Sequence, residues 1–196
     1  MSKHLLLSAT DLEHNESEIF KNQIHIIGVG KINAAMNTTR LIEKYNPEDR
    51  LSYNIVTIDS ENCKDFDDGF SIVENDDTYT LSIYISNVSF WLDALNLWSS
   101  FSQRISTIYL PDRKRPMLPT ILCDAICSLV EGNIRFAFTL DLIINKETYE
   151  IVNTKFVNTL INVRRNLRYN TDTMRNNEVF KKTFGIVYKL NRKYKY

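Results

Sequence analysis

Hydrophobic and polar positions change period several times along the chain, and each change marks an element. Residues 1–24 are polar and acidic and read as helical or poorly ordered. Ile24 to Val29 is a short β-branched run punctuated by Gly28 and Gly30. From Ala34 to Tyr45 the apolar positions Met36, Leu41, Ile42 and Tyr45 have helical spacing, and the run stops before Pro47. Asn54 to Asp59 reads as a strand with Asp59 at its end. Phe70 to Val73 and Tyr79 to Val88 predict a hairpin around Glu74-Asn75-Asp76-Asp77. In its second arm Leu81, Ile83 and Ile85 alternate with Thr80, Ser82 and Tyr84, which predicts one buried face. Leu92 to Phe101 reads as a short helix, Ile105 to Pro119 as irregular, and Ala125 to Val130 as a turn or short helix. Arg135 to Asn145 and Ile151 to Leu160 are two further strands. From Glu178 to Tyr194 helical spacing returns at Phe180, Phe184, Val187, Tyr188 and Leu190. The fold class is α+β: a mixed, mainly antiparallel sheet with flanking helices and no internal repeat.

The 196 residues suffice for one domain with a real core, and 43% hydrophobic with 24% charged residues is ordinary globular composition. No apolar run approaches the length of a membrane span. The start, Met1 to Leu7, is too short and too quickly acidic for a signal peptide. Cys63, Cys123 and Cys127 are sparse and odd in number, so reduced thiols and a cytoplasmic location are expected. Cys123 and Cys127 have no nearby His or Cys, which argues against zinc. A net charge of zero hides a division. Residues 1–163 hold 14 Lys/Arg against 22 Asp/Glu, a net of −8, and residues 164–196 hold 10 against 2, a net of +8. The basic tail has two readings, a stripe for a phosphate backbone or a solvated helix face lying on the acidic body.

Asp59, Asp65, Asp67 and Asp68 fall within ten positions. Carboxylates this close raise one another's pKa unless a cation shares the site. Mg²⁺ takes oxygen ligands and leaves positions for water and substrate phosphate, and phosphodiester hydrolysis uses such a site. With the loop extended, Asp65 and Asp67 point one way, and Phe66 and Asp68 the other; Phe66 then anchors the loop in the core. An EF-hand is excluded, because Lys64 falls where its Gly belongs and Phe70 where its bidentate Glu belongs. Gly28-Val29-Gly30 lacks the third glycine of a dinucleotide fingerprint, that position being Asn33. The three histidines, His4, His14 and His25, lie far from the acidic segment, so histidine-based nucleophilic catalysis has no support.

The strings Thr57-Ile58-Asp59 and Lys64-Asp65-Phe66-Asp67-Asp68 resemble the signature of the ribonuclease II/R family catalytic domain, the RNB domain. Further blocks follow in family order. Tyr84 to Ser89 resembles "HIADVS". Arg104, Ser106, Tyr109-Leu110-Pro111, Arg113 and Pro116 to Pro119 resemble "R.TS.YLP.R..PMLP". Cys127-Ser128-Leu129, Gly132 and Arg135 resemble "CSL..G..R". The resemblance covers about residues 46–190 and sets residues 1–45 apart as an N-terminal extension, with 46–196 a partial RNB domain. It implies a 3′→5′ exoribonuclease that hydrolyses single-stranded RNA with Mg²⁺ (Mn²⁺ as a substitute) and releases nucleoside 5′-monophosphates. It implies metal ligation by Asp59, Asp65 and Asp68, directly or through water, and gives Asp67 the most critical chemical role. Tyr109 matches an aromatic that stacks on the 3′-terminal base, a sequence-independent grip. Tyr169 matches a Tyr nearer the other end of the bound RNA. Arg113 and Arg135 are candidate phosphate or structural partners.

The chain also departs from the family. Tyr84 stands for the usual His, Asn87 for Asp, Ser86 for Ala and Gly69 for Ala. The block "HFTSPIRRY", whose arginine meets the scissile phosphate, has no counterpart here. Two alternatives to an active exoribonuclease are therefore carried: an RNA-binding protein with impaired catalysis, and one half of a split enzyme completed by a second chain.

Overall fold

The computed structural model describes residues 39–101, 106–111 and 114–194. The expectations for residues 1–38, including the Ile24–Val29 run, lie outside the described residues. The chain forms two compact units, one built from Asn87–Cys127 with the segment up to Pro47, the other from Glu48–Ser86 with Ser128–Tyr196.

The second unit is a closed barrel in the order β1 (Glu48–Asp59), β2 (Asp68–Glu74), β3 (Thr78–Ser86), β6 (Ile134–Asn145) and β7 (Ile151–Arg168). The β2–β3 hairpin turns where predicted, with Asn75 N–H donating to Thr78 O at 2.9 Å. All pairings are antiparallel except the closing one, where β1 and β7 run parallel. The expected mixed, mainly antiparallel sheet is therefore present, and closure adds what local periodicity does not carry. β7 runs on past Leu160, so Arg164, Arg165 and Arg168 lie on a strand.

Closure reverses one expectation. In β3 the face buried throughout is not Leu81, Ile83 and Ile85 but Ser82, Tyr84 and Ser86, which line the interior. Leu81 is buried under a helix, whereas Ile85 is 47% exposed. The interior admits polar side chains because they satisfy one another. Arg50 donates from its two terminal nitrogens to the two Asp141 oxygens at 2.7 and 2.6 Å. Ser82 Oγ donates to Asp141 Oδ1 at 2.6 Å, and the Tyr84 and Ser71 hydroxyls share a 2.8 Å bond. Tyr84, standing for a family His, thus belongs to the barrel core.

Two helices cover the outside: α4 (Asp172–Asn176) and α5 (Glu178–Tyr194). Val179 packs with Val56, Leu167 and Met174, while Ile186 and Leu190 pack with Leu81 and Ile144. The helix expected over 178–194 is present, but its buried stripe is Val179, Ile186 and Leu190. Phe184, Val187 and Tyr188 face outward. Much of the basic tail meets carboxylates of the same unit. Lys182 bonds Glu74, Lys193 bonds Glu150 at 2.8 Å, and Arg165 bonds Glu131 at 3.0 Å. Those contacts favour the reading of a charged face on an acidic body. No described helix is long and apolar enough to cross a membrane.

In the first unit the described helices are α1 (residues 39–45), α2 (Val88–Ala94) and α3 (Trp98–Phe101), so the run expected over 92–101 is two short helices. A two-residue ladder, β4 (Ile108–Tyr109) with β5 (Lys114–Arg115), interrupts the stretch expected to be irregular, and Ile121–Ile126 forms a π-helical turn. Asn87, standing for a family Asp, caps α2, its Oδ1 accepting from Phe90 N–H at 3.2 Å and Ser89 Oγ at 2.8 Å. Asn and Asp cap about equally well, so this position needs no charge for its local role.

Asp93 ties the unit together. It accepts from Lys44 Nζ at 2.6 Å, Trp98 Nε1 at 2.6 Å and Tyr45 Oη at 2.7 Å. These bonds, Lys44's foremost, hold its carboxyl down to about 2. A carboxyl whose folded value is depressed stabilises the fold above its unfolded value and loses that contribution as pH falls. Asp93→Asn is expected to cost about 1 kcal/mol at pH 7, after allowance for solvent screening, and almost nothing at pH 2. Urea unfolding at the two pH values checks this; an equal loss at both would remove the charge from the account.

Candidate functional site

The aspartates sit where β1 hands over to β2. Asp59 is the last residue of β1 and Asp68 the first of β2. Because these strands are antiparallel neighbours, residues nine apart in sequence return to the same end of the barrel. The connecting residues 60–67 turn at Cys63, whose N–H donates to Ser60 O at 3.1 Å. Phe66 enters the core as expected, packing with Ile55, Tyr84, Leu129 and Val163. Asp65 is half-buried; Asp67 and Asp68 are both exposed, so Asp68 does not follow Phe66 inward.

The electrostatics of Asp59 and Asp68 are linked. Asp59 Oδ2 is buried and has no hydrogen-bond partner. The Asp68 carboxyl is pushed above the ordinary range, first by desolvation and then by the Asp59 charge. An acceptor oxygen without a donor, beside a second carboxylate that resists ionisation, is a pair short of positive charge. Asp59 and Asp68 therefore fit a hard divalent cation, which commonly takes one or two protein carboxylates and completes its shell with water and phosphate. Among the described residues, no three His, Cys, Asp or Glu side chains are gathered to hold a metal.

Sequence reasoning did not mark Cys63. Its sulfur lies 3.2 Å from Asp65 O and 3.7 Å from Asp59 Oδ1, and burial pushes its thiol up. A neutral thiol adds no charge to the site. The expected RNA residues divide. Asp59 is the ladder partner of Arg168, and Tyr169 N–H donates to Asp59 O at 3.0 Å. Tyr169 is 61% exposed, and its backbone is tied to the end of β1 at Asp59. Arg168 is occupied locally, bonding Ser60 O at 2.9 Å with its guanidinium 5.1 Å from the Phe66 ring centre. Arg135 Nε donates to Ser128 O at 2.8 Å, and its Nη1 to Ile134 O at 2.9 Å. Tyr109 belongs to the other unit, on β4, and Arg113 lies outside the described residues.

A family model, "RNB domain", matches residues 48–181. The chain belongs to the RNB domain family. The match begins with β1 and ends in α5, taking in the whole RNB barrel. Ribonuclease R of Mycoplasmopsis pulmonis is 33% identical over 140 residues, covering 70% of this chain and 19% of that protein. The RNB chain therefore spans about a fifth of the length of that relative. Among solved structures, Mycoplasma genitalium RNase R in complex with double-stranded RNA superposes with a TM-score of 0.63 at 21% identity, covering 76% of this chain and 28% of that one. Yeast Ssd1, described as a pseudonuclease, superposes equally well, at 0.63 and 16% identity over 75% of this chain and 19% of that one. These likenesses establish the RNB fold, and they include both a nuclease and a pseudonuclease.

Proposed function

We propose that this RNB chain carries the carboxylate portion of a Mg²⁺-dependent 3′→5′ exoribonuclease that shortens single-stranded RNA and releases nucleoside 5′-monophosphates. The observation that carries the proposal is the Asp59–Asp68 pair, with its buried oxygen lacking a donor. In this reading Asp59, Asp65 and Asp68 hold the cation, directly or through water, and Asp67 has the most critical chemical role. The cation, when bound, lowers the pKa of water and offsets charge on the leaving oxygen. The chain's own residues do the rest. Tyr169, exposed and tied to Asp59 through its backbone, offers a ring for a base to stack on. By resemblance Tyr109 stacks on the 3′-terminal base, while Arg113 is a candidate phosphate or structural partner.

A second reading, an RNA-binding protein without catalysis, is consistent with the structural likeness to a pseudonuclease. One experiment separates the two. A 5′-labelled single-stranded RNA is incubated with Mg²⁺ and either the parent or Asp67→Asn. The expected result is a ladder shortening from the 3′ end with the parent, absent with the variant, while RNA affinity stays within about threefold because stacking and phosphate contacts are untouched. RNA bound by both and cut by neither establishes the second reading. Equal cleavage by both takes the catalysis away from Asp67.

A further inference from the structure

We infer that Ser128 and Arg135 are positioning residues that set the aspartate loop, acting on its backbone rather than on RNA. The inference rests on the metal-dependent reading above and adds to it the device that holds the loop's shape. Residues 60–67 belong to no helix or strand, so their backbone groups need partners from elsewhere. Ser128 supplies them. Its Oγ accepts from Phe66 N–H at 3.0 Å and donates to Lys64 O at 3.1 Å. One hydroxyl thus bridges the peptide groups on either side of Asp65. The next residue adds a third bond, Leu129 N–H to Phe66 O at 2.8 Å. Beyond Phe66, Asp67 O accepts from Ser86 N–H at 2.9 Å. The backbone carrying Asp65 and Asp67 is therefore held on both sides of each.

Ser128 is fully buried, so water does not compete for these bonds. It is itself fixed by Arg135, whose Nε donates to Ser128 O at 2.8 Å while Nη1 donates to Ile134 O at 2.9 Å. The chain after Ser128 turns at Gly132, where φ is +77° and a side chain would be strained, and Gly132 N–H donates to Val163 O at 2.8 Å. Two of Arg135's donors are thus committed to main-chain carbonyls. That explains how an arginine can serve the acidic site without touching substrate: it fixes Ser128, and Ser128 fixes the loop. Groups that orient metal ligands from behind commonly change metal affinity by about 10–100-fold when removed.

The test follows Mn²⁺ binding by electron paramagnetic resonance and exchange of the Phe66 amide by NMR. It uses the full chain with Ser128→Ala, Ser128→Thr, Arg135→Ala and a control, Thr139→Val. Thr139 is equally buried and loses a comparable hydroxyl bond, the 2.7 Å one to Thr159, away from the loop. Ser128→Ala is expected to speed Phe66 exchange and weaken Mn²⁺ binding by about tenfold or more. Ser128→Thr, which keeps the hydroxyl, should recover most of that affinity. Arg135→Ala should weaken Mn²⁺ binding while leaving the salt dependence of RNA binding unchanged, since a phosphate contact would lower that slope by about one. Thr139→Val should leave Mn²⁺ binding unchanged. Parental Mn²⁺ affinity in Ser128→Ala overturns the inference, as does equal weakening by Thr139→Val or a flattened salt slope in Arg135→Ala. If the parent itself binds no Mn²⁺, the metal reading of Asp59 and Asp68 fails and takes this inference with it, an outcome distinct from a failure of Ser128 alone.

Discussion

Asp141→Ala is expected to remove about 3–5 kcal/mol of folding stability, enough to unfold a marginal domain. Arg50 and Asp141 are 5% and 4% exposed, and their ion pair is bidentate. The Asp141 hydrogen bond, foremost, holds the Arg50 guanidinium far above its ordinary value, so it stays charged at every accessible pH. Truncating Asp141 leaves that cation inside the barrel with the half-exposed Glu48 carboxylate at 3.0 Å and the neutral Ser82 hydroxyl at 3.2 Å. The loss comes from the stranded charge rather than from the pair's net worth, so replacing both partners with apolar residues, Arg50→Met with Asp141→Leu, should recover much of it. Burial pushes the Asp141 carboxyl up, but hydrogen bonds from Arg50 and Ser82 bring it below the ordinary range. Its contribution is therefore present above the usual carboxylate value and lost as pH falls through the depressed one. Urea midpoints for the single and double variants decide the matter. A single variant that loses under 1 kcal/mol would mean that water reaches Arg50.

On the proposed metal-dependent reading, Asp59→Asn is expected to cut nuclease activity by at least about 100-fold, since several kcal/mol of charge stabilisation would depend on the cation. The same change should make the apo protein slightly more stable at neutral pH. Asp68 has a raised carboxyl, so the fold carries a penalty that grows as pH rises through its folded value and persists above it. Removing the Asp59 charge lifts the smaller part of that penalty, and desolvation of Asp68 remains. Two measurements follow. In carboxyl-carbon NMR, Asp68 should titrate lower in the variant. In thermal melts, Mg²⁺ should raise the midpoint of the parent and leave that of the variant unmoved. Equal protection of both by Mg²⁺ would place the cation elsewhere. Opposite effects on stability and activity mark a site held in a strained arrangement for its chemistry.

Features set by local pattern were legible in the sequence. Asp59 at a strand end, the hairpin around Glu74 to Asp77, Phe66 as the loop's anchor and the helix over 178–194 all follow from period, turn residues or alternation. What escaped depends on contacts between distant segments. Leu81, Ile83 and Ile85 alternate as a buried face should, yet closure of the barrel put the opposite face inside. Arg50 and Asp141 lie 91 residues apart and carry no local sign of pairing. The stripe Phe184, Val187 and Tyr188 has the right spacing for burial, but α5 meets the barrel through Val179, Ile186 and Leu190. The four aspartates were legible as a group, and the structure places two at strand ends and two in the loop between them. Ser128 was visible only as part of a resembling block, because a buried hydroxyl gripping a backbone 62 residues away leaves no pattern of its own.

The parallel pairing of β1 with β7 sets an order of events during synthesis. β1 ends at Asp59, and its partner strand does not begin until Ile151. Contacts this distant in sequence form slowly, and a chain made at about 5–20 residues per second leaves β1 without that partner for several seconds. The hairpin of β2 and β3 can form in the meantime, but the Asp59 end cannot be clamped until Arg168 and Tyr169 have left the ribosome. The acidic site is thus among the last parts of the barrel to be assembled, and a nascent chain shorter than this carries its aspartates without the clamp that Arg168 and Tyr169 supply.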